Sequence, residues 1–227
     1  MILENRVALI TGAGSGIGRV IAIAFAREGA QVVLTGRRLH KLQETAALCN
    51  APSPSGEAIF EPADISEESN VSRLQERVLK AFGRCDILVN NAGIFKPEPG
   101  VLLHQATIDD WNSVMQTNVR GAFLCLRAFA PTMIEQHYGR VINVTSGLKH
   151  SAGHGVYSIS KSALDALTKT AAHELEEHNI LVNALNPGWV KTEMAQNAPD
   201  DPQKVAPLAL RLASLPEGEP SGVEHHA

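Results

Sequence analysis

The chain has 227 residues, of which 44 % are hydrophobic and 19 % charged, with a formal net charge of −4. That balance suits a folded chain with a sizeable buried core and excludes a disordered one. The mild acidity offers no basic footprint for nucleic acid or an anionic membrane, and no apolar run approaches bilayer-spanning length.

In chain order, residues 6–11 (RVALIT) read as a buried strand, and residues 16–28 as a helix closed by Gly29. A second apolar strand follows at 31–35 (QVVLT), a helical stretch at 39–48 and a turn cluster, NAPSPSG, at 50–56. Residues 58–60 suit a third strand. Residues 66–82 open with S-E-E and read as an amphipathic helix capped at Ser66. A fourth strand is expected at 86–90 (DILVN). The stretch 107–137 reads as a long helix broken near 117–121. A fifth strand at 140–144 (RVINV), a long helix at 156–178 and a sixth strand at 180–185 complete the series. A last helix is expected at 204–215, after which the sequence offers no further strand signal. The two histidines of the tail VEHHA are expected to do nothing structural.

Strands that are apolar throughout, separated by helices, pair in parallel through right-handed crossovers and are covered on both faces. The expected fold is therefore α/β, a doubly wound parallel sheet of six or seven strands with helices on both sides. No linker or repeat divides it, so one domain is expected over residues 1–227, with its core at about 5–215. The three cysteines, Cys49, Cys85 and Cys125, show no C-x-x-C spacing, which fits a reduced, cytoplasmic setting. MILENRVALIT lacks the basic-then-apolar pattern of a secretory leader.

In such sheets ligands bind at the carboxyl ends of the strands, so the segments just after each strand carry the function. The first is 11-TGAGSGIG-18, running straight into a helix. Glycines there let a phosphate approach peptide N–H groups at a helix N-terminus. The spacing is Gly12-x-x-x-Gly16-x-Gly18 rather than G-x-G-x-x-G, whose last position would fall on Ile17. Ser15 lies within the same loop. The second strand ends in 35-TGRRLHK-41. Gly36 stands where an acid commonly holds the adenosine ribose, and Arg37 and Arg38 follow. A missing acid and an added guanidinium suit a 2′-phosphate, so NADP(H) is expected over NAD. The third strand is followed by Asp64 and Ile65, and the fourth ends in 90-NNAG-93, where Gly93 allows close approach of a flat ring or ribose. The fifth leads to Thr145-Ser146 and the sixth to 186-NPGWVKT-192. One crevice accounts for all six polar or glycine-containing ends.

One further pair stands out. Tyr157 and Lys161, in 157-YSISK-161, lie one helical turn apart on one face. A free phenol titrates near pH 10, and a nearby cation lowers that value.

Taken together, 11-TGAGSGIG-18, 90-NNAG-93, 117-TNVRG-121, Ser146, 157-YSISK-161 and 187-PGWVKT-192 resemble the short-chain dehydrogenase/reductase family, in order and spacing, from Val7 to about Leu215. The resemblance implies a Rossmann-type, dinucleotide-binding oxidoreductase domain. It implies that Asn118, Ser146, Tyr157 and Lys161 form the catalytic tetrad, with Asn118 binding a water that leads to Lys161. It implies that Thr11, Gly12, Gly16, Ile17 and Gly18 wrap the cofactor phosphates, that Asp64 bonds the adenine edge, and that Asn90 and Ala92 line the adenosine ribose. Lys161 would hold the nicotinamide ribose, and Pro187, Gly188, Val190 and Thr192 would contact the nicotinamide. The expected reaction is hydride transfer between NADP(H) and a small carbonyl or alcohol substrate, with Tyr157 as acid/base. The alternatives are 3-oxoacyl thioester reduction, helped by a basic entrance of Arg120, Lys149 and Lys191, and an idle NADPH-binding regulator.

Two departures from the family pattern are visible. Ser146 lies closer to Tyr157 than in many members, across a loop carrying His150 and His154 whose glycines argue against a metal site. The ending is compact, with a short lid that suggests an open, broad site. A missing last strand would weaken one tetramer contact, while the helices at 118–136 and 156–177 could still pair in a homodimer.

Overall fold

The computed structural model describes residues 1–51, 57–96 and 100–227, so most of the turn cluster expected at 50–56 lies outside the described residues. The strands are β1 (Val7–Thr11), β2 (Gln31–Gly36), β3 (Ala58–Pro62), β4 (Ile87–Asn90), β5 (Gly139–Val144), β6 (Ile180–Asn186) and β7 (Glu224–His226). They form one parallel sheet in the order β3-β2-β1-β4-β5-β6-β7. The order reverses between β1 and β4, and the crevice opens at that switch point.

The helices are α1 (Gly16–Arg27), α2 (Leu39–Asn50), α3 (Glu68–Phe82), α4 (Ile108–Met115), α5 (Gly121–Gln136), α6 (Gly155–Leu175) and α7 (Val205–Ala213). Alternate strand residues feed two cores. Ala8, Ile10, Val32 and Leu34 pack with Phe25 of α1, Leu42 of α2 and Leu212 of α7. Val7, Leu9, Val33 and Leu88 pack with Leu74 of α3, Phe129 of α5 and Ala171 of α6. The continuous apolar strands therefore serve two helical layers.

The expected break in the long helix is a π-helical stretch, Gln116–Arg120, between α4 and α5. Such bulges turn a side chain away from the regular helical face, often at functional sites. The expected cap at Ser66 does not form. α3 starts later, at Glu68, because the Ser66 hydroxyl donates to Asp64 Oδ1 at 2.7 Å instead. Thr107 does cap α4, accepting from the Asp110 N–H at 3.0 Å.

The last strand corrects a sequence expectation. Glu224–His226 form β7, parallel to β6, with Ala184 opposite Glu224 and Asn186 opposite His226. The polar tail is thus part of the sheet, and the compact ending does not lack the seventh strand. Ser221 and Asn183 pin its approach: the Val182 N–H donates to Ser221 Oγ at 2.9 Å and the Val223 N–H to Asn183 Oδ1 at 3.0 Å.

Beneath the sheet, Asp86 is fully buried just before β4. Its carboxylate accepts from the Val7 N–H at 2.9 Å, from Arg6 at 3.1 Å and from Arg84 Nε at 2.8 Å. It ties the start of β1 to β4. Removing it strands a backbone N–H and leaves two guanidinium groups unpaired. Asp86→Ala should lower the unfolding free energy by about 2–4 kcal/mol, and Asp86→Asn by less. Urea denaturation followed by circular dichroism measures both.

Candidate active site

The glycine loop is shaped by contacts that leave no room for side chains. Gly12 has φ +63°, and a Cβ there would lie 2.9 Å from Ala92 Cα. A Cβ on Gly18 would lie 2.5 Å from both the Gly12 carbonyl oxygen and Asn91 Nδ2. Gly16 has φ +52° and faces Thr192, whose methyl is 3.2 Å from the Cβ position. Ile17 packs against the core, fixing the first turn of α1.

Thr11 anchors the loop to β4. Its hydroxyl donates to the Val89 carbonyl at 3.2 Å and accepts from the N–H groups of Asn91 and Ala92, each at 3.0 Å. Asn91 returns its amide to the carbonyls of Thr11 at 2.9 Å and Gly12 at 3.3 Å. The amide pair of 90-NNAG-93 suggests side chains that bond neighbouring backbone, and Asn91 is the member that does so.

The start of α1 fits an anionic group. Ser15 stands at the cap position without a capping bond, and the first turn holds no acid. Its uncapped N–H groups and dipole suit phosphate. Instead of capping, Ser15 Oγ accepts from Arg38 at 2.8 Å and contacts Glu193 Oε2 at 3.3 Å. Arg38 also pairs with Glu193 at 2.8 Å, and that guanidinium holds the Glu193 carboxyl below the usual carboxylate range. Arg37 is exposed and has no ion pair among the described residues. Glu193 is a residue of this end of the crevice that sequence reasoning missed.

Other expected cofactor positions divide. Asp64 uses one oxygen to hold the Ser66 N–H at 3.0 Å and the Ser66 hydroxyl, forming the turn after β3. Ile65 is a core residue pressed against Gly121. The Asn90 side chain points into the protein, donating to Asn143 Oδ1 at 2.9 Å, and its own Oδ1 is buried without a partner among the described residues. Ala92 and Gly93 face the crevice wall. A Cβ on Gly93 would lie 3.3 Å from Asn118 Oδ1 and 3.6 Å from Lys161 Nζ, so the glycine fits between them. Pro187 and Val190 are buried, and Gly188 has φ +70°, with its N–H bonded to Asn186 Oδ1 at 3.1 Å. The segment after β6 then folds back on itself: the Lys191 N–H donates to the Asp200 carbonyl at 2.8 Å, and Thr192 Oγ1 accepts from the Ala195 N–H at 3.2 Å.

Ser146, Tyr157, Lys161 and Asn118 come together around the end of β5 and the first turns of α6. The Ser146 side chain lies near enough to the Tyr157 phenol to favour its ionised form, while Ser146 Oγ accepts from the Leu148 N–H at 3.1 Å. Lys161 Nζ donates to the Val144 carbonyl at 2.8 Å and lies 5.7 Å from the Tyr157 ring centre. Asn118, on the π-helical stretch, accepts from the Ile94 N–H at 2.8 Å and donates to the Ile94 carbonyl and to Ser160 Oγ, both at 3.0 Å. Ser160 in turn donates to the Tyr157 carbonyl at 2.7 Å. Asn118 thus ties the end of the 90-NNAG-93 segment to the tyrosine's helix. Phe95 covers the phenol ring, with centroids 4.6 Å apart, and His154 meets Phe95 edge-on at 6.0 Å.

The electrostatics differ from the sequence expectation. Burial raises the Tyr157 phenol above its ordinary value, partly opposed by the nearby Ser146 side chain. The same burial disfavours the Lys161 ammonium and pushes Lys161 down to about 8, which still leaves it mostly charged at neutral pH. The phenol is protonated at neutral pH. His150 is exposed and His154 half-buried, and among the described residues no cluster of three or more metal-ligating side chains exists. Among the same residues, no helix is long and apolar enough to cross a membrane.

Because Lys161 titrates lower folded than unfolded, its charge opposes folding fully below about pH 8. That penalty fades as pH rises from there to the unfolded lysine value of about 10.4. Lys161→Met should therefore raise the melting temperature at pH 7 relative to the parent, and the difference should shrink by pH 10. Paired thermal scans across that range check the sign.

A family model described as short chain dehydrogenase matches residues 6–203. A 3-oxoacyl-[acyl-carrier-protein] reductase of Synechocystis sp. is 37 % identical over 202 residues, covering 88 % of this chain and 80 % of the relative. Levodione reductase superposes with a TM-score of 0.93 at 27 % identity, over 99 % of this chain and 96 % of that one. A metagenomic short-chain oxidoreductase in complex with NADP gives a TM-score of 0.88 at 33 % identity, over 100 % of this chain and 97 % of that one. With the family model spanning most of the sequence and these relatives covering nearly all of it, the chain belongs to the short-chain dehydrogenase/reductase family, oxidoreductases that act on CH–OH groups with a nicotinamide cofactor.

Proposed function

We propose that this protein interconverts a ketone or aldehyde and its alcohol with NADP(H), using Tyr157 as the proton donor and acceptor. The observation that carries the reading is the convergence of Ser146, at the end of β5, on a buried, protonated Tyr157 phenol one helical turn from Lys161, whose Nζ lies 5.7 Å from the ring centre. A carbonyl accepting a hydride develops negative charge on oxygen. A phenol in place can give it a proton, and a hydroxyl beside it can hold it in line.

Reduced nicotinamide, when bound, would supply the hydride to the carbonyl carbon. The chain's residues do the rest. Gly12, Ser15, Gly16, Ile17 and Gly18 would hold the phosphates over the α1 N-terminus, beside Thr11. Pro187, Gly188, Val190 and Thr192 would form the wall at the nicotinamide end. Lys161 would orient the ribose, and its ammonium would help Tyr157 release its proton. Asn118 would act through Ile94 and Ser160, holding Tyr157 and Lys161 in register. Asp64, Ile65, Asn90, Ala92 and Gly93 would shape the adenosine side. Because Asn90 is turned inward, its contribution there is through the backbone.

NADP(H) is favoured by Arg38, which already grips a carboxylate beside Ser15, and by the NADP complex of the metagenomic relative. Nothing acidic stands at Gly36, where a Cβ would meet only ordinary contacts. The same fork that holds Glu193 suits a 2′-phosphate.

The Synechocystis relative supports a second reading, reduction of a 3-oxoacyl thioester. Of the basic residues first considered for its entrance, Lys149 is paired with Asp165 and Glu224, and Arg120 bonds the Ser66 carbonyl. Arg120 and Lys191 are exposed, and Lys191 has no ion pair among the described residues. The intact tyrosine-serine-lysine group speaks against an idle regulator.

Tyr157→Phe should keep NADPH binding and lower turnover by about 10²- to 10⁴-fold. Arg38→Ala should lower the NADPH-over-NADH ratio of kcat/KM by about 10- to 100-fold, the cost of one charge-assisted contact. NADPH oxidation measured across ketones, aldehydes, quinones and acyl thioesters identifies the substrate class. Parental turnover in Tyr157→Phe rejects the proposed chemistry.

A further inference from the structure

Ser146 is flanked by two side chains that converge on one carboxylate. Thr145 immediately precedes it, and the Thr145 hydroxyl donates to Glu224 Oε1 at 2.8 Å. Lys149 follows three residues later, and its Nζ lies 2.9 Å from the same oxygen. Between these two arms the chain turns tightly: the Leu148 N–H donates to Ser146 Oγ at 3.1 Å. Glu224 belongs to β7, the edge strand that the sequence did not announce.

The bracket is anchored on three elements. Lys149 also reaches Asp165 of α6 at 3.3 Å, and Lys169 holds the other Asp165 oxygen at 3.0 Å. Glu224 is fixed by the β6–β7 ladder, opposite Ala184. The Glu224, Lys149 and Asp165 side chains are 16 %, 18 % and 17 % exposed, so their charges are largely shielded from competing water. Thr145 has one further acceptor, the Leu185 carbonyl at 3.3 Å, which is longer and uncharged. Glu224 is therefore the stronger acceptor for Thr145 and the closer partner for Lys149.

We propose that Glu224 is a positioning residue of the active site, holding the 145–149 turn so that the Ser146 hydroxyl meets the Tyr157 phenol and the substrate oxygen. It touches neither phenol nor substrate and acts through Thr145 and Lys149. A hydroxyl that orients a reacting oxygen must be held to within about 0.5 Å, and a shift of about 1 Å can cost on the order of 100-fold in rate. The last strand thus contributes to catalysis as well as closing the sheet. The inference rests on the reading of Ser146 given under the proposed function.

The test is a double-mutant cycle on the full chain, with the best carbonyl substrate of the NADPH-oxidation screen. Glu224→Ala should lower kcat by about 10- to 100-fold with the NADPH dissociation constant unchanged. Glu224→Gln, which keeps an acceptor for Thr145, should recover most of the loss. In a Ser146→Ala background, Glu224→Ala should have little further effect, because the group it positions is gone. A parental kcat in Glu224→Ala, or an equal fractional loss with and without Ser146, overturns the proposal. If Glu224→Ala does not fold, the same cycle is run with Thr145→Val, which removes the hydroxyl arm to Glu224, and a parental kcat or full additivity with Ser146→Ala there overturns it equally. An impaired Ser146→Ala beside a parental Glu224→Ala sinks this inference alone. A parental Ser146→Ala sinks the underlying reading as well.

Discussion

The crevice depends on one knot, made where the sheet order reverses. At that point β1 and β4 diverge and their ladder ends, which leaves backbone groups in need of partners. Thr11 and Asn91 supply them reciprocally, hydroxyl to backbone in one direction and amide to backbone in the other. The knot draws the glycine loop so close to β4 that Gly12 and Gly18 have no space for a Cβ. The glycines are therefore required first by the protein's own packing, and the bare N–H groups at the start of α1 follow from it. Displacing the knot would move the glycine loop and the 90-NNAG-93 wall together.

Three buried charged groups show how differently the fold treats stability and site. Asp86 meets two guanidinium groups and a backbone N–H. Arg140 is buried without a carboxylate, yet it donates to the carbonyls of Leu215, Gly139 and Asn179, at 2.7, 2.7 and 2.8 Å, and stacks on Tyr138. Both are well satisfied. Lys161 has three protons to offer and, among the described residues, a single hydrogen-bond partner, the Val144 carbonyl. An ammonium left short of partners in a dry place is costly to keep. Its incompleteness fits the ligand-binding role proposed for it better than a role in folding.

Most of the architecture was legible because continuous apolar strands leave little choice but a sheet covered on both faces. The helix break was legible too, since 117-TNVRG-121 interrupts an otherwise regular pattern. β7 was not. It is a three-residue edge strand of polar residues, so it carries no apolar signature, and its pairing is set by Ser221 and Asn183 from outside the strand. The cap expected at Ser66 failed for a similar reason: Asp64, two residues earlier, competes for the hydroxyl. The proximity of Tyr157 and Lys161 could be read from helical spacing. The direction of their titration could not, because spacing says nothing of how deeply Phe95 and the β5 end bury them. Glu193 and Glu224 act across long sequence separations, which a local pattern does not encode.

The crevice is graded from one end to the other. At the adenosine end, Arg38 and Glu193 are about half exposed, and a solvent-exposed pair of that kind is worth only about 0–1 kcal/mol. Such a pair can be exchanged: a doubly charged group offering several acceptors competes well against one screened carboxylate. At the other end, Tyr157, Lys161 and Asn118 are buried and held through protein groups that have few alternatives. Loose, exposed charge suits a place where a ligand must enter and leave. Tight, dry packing suits a place where a proton must move over a fixed distance. The two requirements conflict if imposed on one spot. In this fold the extended crevice separates them, and the knot at Thr11 and Asn91 keeps that separation constant.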